Sequence, residues 1–342
     1  MSKKVGRKTN PPSPLSHPDI LTNILSFADK STLARCLCVS WSFHEIAAPV
    51  LYEDITVVPN EADAIFRGAS MGPMIFSDGS DRELKKELLR HVKRLRIKRH
   101  GQCDGFSGRT ACTRWRGVGI EFPALEVLSD YSSTSGHDFS LDHWGGCPWI
   151  PNLKHSKLVM RDVNVLSACR GCSFIPYTLP PEITKAVVTL RTLRNLRESN
   201  ESYIESTKPT YPSTLSPTLK VVIVLWCDTP DQVWDSTHAP MPLSSFDNLV
   251  EQLALCAFIG LQDIVICNAS RIRIMNIDAS RSQQYLGDAV KEMVEGICKS
   301  RREVKKSEQR MATLRWMDFE QYLVDEESRG EYSDEEIRPW LN

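Results

Sequence analysis

The stretch SPTLKVVIVL, residues 216–225, decides the fold. Pro217-Thr218-Leu219 leads straight into a β-branched run, so Leu219 to Trp226 reads as a strand. Downstream, Leu243 to Phe258 puts Phe246, Leu249, Val250, Leu253 and Ala257 on one helical face and stops before Gly260. Asp263 to Cys267 is then a second strand. Strand, helix and strand in succession across 219–267 predict an α/β unit.

Upstream, similar lead-ins recur in FPALEVL (122–128) and IPNLKHSKLVM (150–160). The further candidate strands are Ile55 to Val58, His91 to Ile97, Leu125 to Leu128, Leu158 to Met160, Ala186 to Leu190, Ile272 to Ile277 and Thr313 to Met317. Such lead-ins, roughly 28 to 40 residues apart, resemble an irregular leucine-rich-repeat array, in which each strand joins a parallel sheet and a helix or loop returns the chain. The intervals are uneven and no Asn holds a regular ladder position. Near the C-terminus a long helix is expected from about Gln283 to Gln309, with Ala289, Met293 and Ile297 as its apolar side and a second half that projects into water or bends. Asp318 is expected to cap the helix that follows, and Ser333 with Glu336 matches a capping box ahead of Trp340 and Leu341.

The first tenth of the chain has a different texture. After a Pro-rich lead, residues 1–14, expected to be disordered, Ser16 or Asp19 can cap a helix that has Pro18 near its first turn and Ile20, Leu21, Ile24 and Leu25 along it. A polar break follows, with Ser31 or Thr32 as the next cap. Leu33, Leu37 and Trp41 then recur every four residues along a second helix, and Phe43, Ile46, Ala47 and Val50 mark a third. So small a helical unit cannot bury all these stripes within itself, since below about 40 residues a domain usually needs staples, metal or a partner. Part of its apolar surface should meet another protein.

The whole chain has 342 residues, 42 Lys and Arg against 43 Asp and Glu, and 41% hydrophobic residues. This balance excludes a basic nucleic-acid coat and an acidic disordered polymer as global descriptions. No unbroken apolar run reaches the 18 residues of a membrane span, and no secretory signal opens the chain. Eleven Cys, an odd number scattered without framework spacing, read as reduced thiols in cytoplasm or nucleus.

Motifs that could carry chemistry fail on context. Gly68-Ala69-Ser70-Met71-Gly72 satisfies a nucleophile-elbow pattern, but helix-like EADAIF precedes it and Pro73 follows, so it reads as a turn. Cys169-Arg170-Gly171-Cys172 is a single close pair, with His137, His143 and Cys147 upstream at spacing too wide for a structural zinc site. Cys36 and Cys38 read as small core residues. Gly117-Val118-Gly119 lacks the third glycine of a dinucleotide loop. No catalytic residue, cofactor or metal is expected. Charge is uneven along the chain: Arg82 to Arg99 holds nine Lys/Arg against two Glu, Lys299 to Arg310 is again basic, and Asp318 to Arg338 holds nine acidic residues against two Arg. No aromatic interleaving accompanies the basic stretches, so solvated faces or pairing with the acidic tail are favoured over nucleic-acid binding. Lys299 to Lys306, KSRREVKK, fits a nuclear-signal pattern.

The run SHPDILTNILSFADKSTLARCLCVSWSFHEIAAPVLYEDI, residues 16–55, resembles an F-box of the fungal F-box-like kind. Pro18, Asp19, Ile20, Leu21, Ile24 and Leu25 match that family's opening pattern, Leu33 and Val39 its middle, and Trp41 its aromatic position. The resemblance implies four segments. These are the lead at 1–14, a three-helix F-box at 15–54, an irregular repeat-like α/β target-binding domain at 55–317, and an acidic tail with short helices at 318–342. It also implies a function: the substrate-recognition subunit of an SCF-type ubiquitin ligase, not itself an enzyme, docking on a Skp-type adaptor and cullin complex and capturing a protein target. Pro18, Ile20, Leu21, Ile24, Leu25, Leu33, Leu37 and Trp41 are the residues so implied for packing and adaptor contact. Ser16-His17 stands where the family usually has Leu-Pro, and that departure favours the alternative of a non-ligase interaction scaffold.

Overall fold

In the computed structural model, the described residues are 17–57, 86–98, 120–131, 153–164, 179, 181–191, 218–226, 243–258, 261, 263–272, 277, 279–325 and 328–341. Three helices come first: α1 (Pro18–Ser26), α2 (Lys30–Cys36) and α3 (Trp41–Tyr52). Eight strands follow among the described residues: β1 (Asp54–Val57), β2 (Arg94–Lys98), β3 (Val127–Tyr131), β4 (Lys157–Asn164), β5 (Lys185–Arg191), β6 (Lys220–Leu225), β7 (Asp263–Cys267) and β8 (Leu314–Met317). Between the last strands lie α4 (Leu243–Phe258), α5 (Ser282–Ser300) and α6 (Ser307–Met311). Two more helices, α7 (Phe319–Val324) and α8 (Asp334–Leu341), end the chain.

All eight strands form one parallel sheet in strict sequence order, each strand added beside the one before it. The mixed α/β class is therefore as expected from the chain's pattern. The register carries one level straight across: Ile55, Leu95, Leu128, Leu158, Ala186, Val221, Ile264 and Leu314 are successive partners, and all are buried. Side chains alternate between the two faces along each strand. The face that carries this level, the inner face, takes the helices. Trp316, two residues beyond Leu314 and so on the same face, lies 3.8 Å from where a Cβ on Gly287 of α5 would stand, and α4 packs on α5 with Phe246 and Tyr285 at 5.3 Å between ring centroids.

Local chemistry corrects several boundaries. Asp29 caps α2, accepting from the Thr32 amide at 2.9 Å and the Thr32 hydroxyl at 2.8 Å, so the expected Ser31 or Thr32 cap gives way to the first residue of the polar break. These bonds hold the Asp29 carboxyl below the usual carboxylate range. His17 occupies the cap of α1 without a side-chain bond, with Pro18 as first helical residue. Trp41 does not belong to the second helix; α2 stops at Cys36, and Trp41 opens α3 behind the Ser40 cap. Cys38 is exposed and only Cys36 is partly buried. The long C-terminal helix ends at Ser300. Arg302 takes a left-handed φ of 59°, and the chain resumes as a 3-10 turn and α6, so the charged half bends away where one continuous helix would have projected. Its buried stripe is Leu286, Val290, Val294 and Cys298. Ala289, Met293 and Ile297, expected as its apolar side, line a groove of about 510 Å³ with Phe246, Val250 and Tyr285, with Ala289 and Ile297 partly buried against the core.

The expected strand Ile272 to Ile277 falls mostly outside the described residues. Ile272 forms only an isolated bridge, Ile277 sits in a bend, and 273–276 lie outside the described residues. So do 1–16 and the motifs at Gly68–Gly72, Gly117–Gly119, His137–Cys147 and Cys169–Cys172. Among the described residues no helix is long and apolar enough to cross a membrane, and no cluster of metal-ligating side chains occurs.

Candidate interaction surfaces

The three N-terminal helices enclose a small core of Leu21, Leu25, Leu33 and Ala47, with Ala28, Cys36, Leu37, Phe43, Ile46, Val50 and Leu51 partly buried around it. Of the residues implied for adaptor contact, Leu21, Leu25 and Leu33 are thus committed to the unit's own interior, and Leu37 is half-buried. Pro18, Ile20, Ile24 and Trp41 face solvent. Ile20 and Ile24 are 44% and 50% exposed, Phe27 90%, and Val39 and Trp41 each 64%. Five of the ten large apolar side chains exposed among the described residues therefore fall between positions 20 and 41. Ile20, Ile24 and Phe27, four and three residues apart, share one face of α1 by helical geometry. Phe27 was not expected there, since its spacing from Ile20 and Ile24 was the available signal. Trp41 is held in place by two contacts. Its ring stacks on His44 at 5.2 Å, and its Nε1 donates to Glu45 Oε1 at 2.8 Å.

This helical unit leads directly into the sheet. Lys30 Nζ donates to the Asp54 carbonyl at 3.3 Å, and the Glu53 carbonyl accepts from the amides of Lys93 and Arg94. Arg94 also approaches the Glu53 and Asp54 carboxylates at 3.6 and 3.5 Å.

The second surface lies on the sheet face opposite the helices, the outer face. Arg94, Val127, Lys157, Lys185, Lys220 and Asp263 are its first row of register partners. On β1 and β2 burial alternates, so on this face Thr56 is half-buried, Arg96 pairs with Asp54 at 2.8 Å and Lys98 is exposed. Over β4 to β6 it is largely covered by residues of 319–325 and 328–340, while Asp263 and Arg315 on β7 and β8 stay part-exposed. Glu331, with no exposed side-chain surface, sits 2.5 Å from Lys185 Nζ and 3.7 Å from Lys157 Nζ. Its carboxylate also accepts from the Tyr322 hydroxyl, and its carbonyl accepts from Arg161 Nη2. The Arg161 guanidinium lies 4.0 Å from the Tyr332 ring centre, and the Lys185 ammonium 5.0 Å from that of Tyr322. Burial lowers the Lys185 ammonium's pKa despite Glu331, and raises the phenol pKa values of Tyr322 and Tyr332.

Four aromatic rings close this arrangement. Trp226 at the end of β6 stacks on Tyr332 at 5.6 Å and meets Phe319 edge-on at 5.4 Å, while Phe319 meets Tyr332 and Trp340 edge-on at 5.0 Å each. Asn268, wholly buried with φ 64°, ties the strand ends together. Its Nδ2 donates to the Leu225 carbonyl at 3.2 Å, and its Oδ1 accepts from the Phe319 amide at 3.0 Å. Asn268 thereby does the capping expected of Asp318, whose carboxylate instead takes the Ser270 hydroxyl at 2.9 Å. The capping box is present as read: Glu336 Oε2 accepts from the Ser333 amide at 2.7 Å, and the Glu336 amide reaches Ser333 Oγ at 3.4 Å.

No family model, curated protein or solved structure matches the chain.

The acidic segment engages Lys157, Arg161 and Lys185, which lie outside both basic stretches, and meets the first of those stretches near Arg94. A Cβ on Gly330 would stand 3.1 Å from Arg94 Cδ. Of the second stretch, Arg310 pairs with Glu303 at 2.8 Å and donates to the Phe258 carbonyl. Arg310 is thus engaged within its own stretch and by the end of α4, not by the acidic tail.

Proposed function

We propose that the chain is a substrate receptor of an SCF-type ubiquitin ligase. Residues 18–52 dock on a Skp-type adaptor as an F-box, the adaptor joins them to a cullin complex, and the irregular leucine-rich-repeat-like sheet captures a protein target in the cytoplasm or nucleus. The observation that carries this reading is the apolar stripe Ile20, Ile24 and Phe27, left open on a helical unit whose own core is already filled by Leu21, Leu25 and Leu33. A stripe of that kind on a soluble chain marks an interaction site. The strict sequence order of the parallel sheet supports the repeat-like reading of the larger part. The protein performs no bond chemistry of its own; it raises the effective concentration of a target lysine near activated ubiquitin.

The competing reading is an interaction scaffold that takes no adaptor, favoured by Ser16-His17 in place of Leu-Pro. Coexpression of the full chain with a Skp-type adaptor separates the two on a sizing column. A stoichiometric complex supports the receptor; separate elution of two folded proteins supports the scaffold.

A further inference from the structure

α4 and α5 pack side by side, and a groove of about 510 Å³ runs between them. Tyr285, Ala289, Met293 and Ile297 recur every four residues along α5 and so form one apolar row about 18 Å long. Phe246 and Val250 of α4, both buried, supply the other side of its floor. Tyr285 and Met293 keep 40% and 38% of their surface exposed, so the row is not closed by the chain itself. Gly296 lies in the same groove. Glycine inside a helix is less favourable than alanine, and a neighbour or an unusual backbone is the ordinary reason to find one there. Neither applies here: an added Cβ would meet nothing within 4 Å, and the backbone of Gly296 is not left-handed. Its missing side chain leaves the groove open.

Charge indicates what fits. Asp247 of α4 and Glu292 of α5 contribute one exposed carboxylate from each helix, and neither pairs with a cation among the described residues. Lys291, next to Glu292 in sequence, pairs with Glu295 at 4.0 Å, and none of the described lining residues is Lys or Arg. We propose that this groove docks an amphipathic helix of a partner protein, which lays an apolar stripe on the row from Tyr285 to Ile297 and sets Lys or Arg on its flanks against Asp247 and Glu292. A row of three turns matches an occupant about 12 residues long with apolar residues one turn apart. Met293, at the middle, adapts its shape to what meets it. α1 of a second copy offers an apolar stripe but has Asp19 as its only charge, the wrong sign for these walls. A small apolar molecule would leave both carboxylates without a counter-charge. No residue of α1 to α3 lines the groove, so the inference goes beyond the adaptor reading and does not depend on it.

The test uses the full chain and a fluorescent model peptide about fourteen residues long, with leucine along one helical face and lysine elsewhere, read by anisotropy. Wild type is expected to bind it saturably, and replacing every lysine by glutamate should weaken binding at least tenfold. Gly296→Arg puts a long side chain into the open space and a guanidinium one turn from Glu292. That variant should bind at least tenfold more weakly, with a melting temperature equal to wild type or higher. Asp247→Asn with Glu292→Gln should also weaken binding at least tenfold and flatten its salt dependence, at unchanged helicity. Failure of wild type to bind the lysine peptide overturns the proposal, as does equal binding by wild type and Gly296→Arg. Uptake of the neutral dye Nile red without the peptide would make the groove a small-molecule pocket, and a dimer dispersed by Gly296→Arg would make it a contact between copies; either result overturns it. No adaptor enters these measurements, so they can fail while the receptor reading stands, or the reverse.

Discussion

Glu331 and Lys185, 146 positions apart in sequence, meet at 2.5 Å with the carboxylate fully buried and the ammonium nearly so. A buried ion pair of this kind gains little over a well-packed apolar pair, yet leaves a stranded charge when one partner is removed. Glu331→Ala should therefore cost about 3–5 kcal/mol of unfolding free energy in a urea titration. Adding Lys185→Met to it should recover at least half of that loss. Equal instability of the single and double variants would mean that the pair's charges are not what the fold depends on.

Asn268 gives a second, independent probe. Asn268→Ala removes the acceptor of the Phe319 amide and the donor to the Leu225 carbonyl, and forces a φ of 64° on a residue that resists it. The expected loss is about 2–4 kcal/mol. Asn268→Gly relieves the backbone part alone and should lose about 1 kcal/mol less than Ala. If Gly were no better than Ala, the left-handed backbone would carry none of the cost.

Alkaline pH acts through the tyrosines. Tyr322 and Tyr332 both have phenol pKa values raised above their ordinary value of 10.0, chiefly by burial, with Glu331 adding repulsion. A raised folded pKa means that their contribution is whole below pH 10 and is lost as pH climbs past it, because the unfolded chain ionises first. Denaturant midpoints should hold from pH 8 to 9.5 and fall above 10, and Tyr332→Phe should flatten that fall. His155 works at the acid end. Burial lowers its pKa below 6.5, so its contribution is whole above that value and erodes as pH drops beneath it.

The sheet was largely legible because strands such as Lys220–Leu225 are β-branched throughout, and α4 because its stripe has a single period and ends at Gly260. Other features are set by contacts distant in sequence. An acidic run reads locally as a solvated tail, and only the cations of β4 and β5, more than a hundred residues earlier, turn Glu331 inward. Phe319, Tyr322, Tyr332 and Trp340 within that run were the available signal that it packs. The break after Ser300 carries no Gly or Pro; Arg302 adopts the left-handed turn itself. On α1, Ile20-Leu21 and Ile24-Leu25 are adjacent apolar pairs, and periodicity alone cannot say which member of each faces in.

That assignment changes which substitution is informative. Leu21 is buried in the small helical core, so Leu21→Asp, alone or with Ile24→Asp, should unfold residues 18–52 and lose the adaptor for the wrong reason. Circular dichroism should show a helical deficit in that variant. Helicity equal to wild type would contradict the observed packing.

The most direct test keeps the fold and alters only the stripe. Ile20→Ser with Ile24→Ser removes two half-exposed side chains, each worth roughly 1 kcal/mol when a partner covers the remainder. Titration calorimetry with a Skp-type adaptor should show affinity at least about tenfold weaker than wild type, at an unchanged melting temperature. A folded double variant that binds the adaptor as tightly as wild type would contradict the assignment of α1 as the docking face.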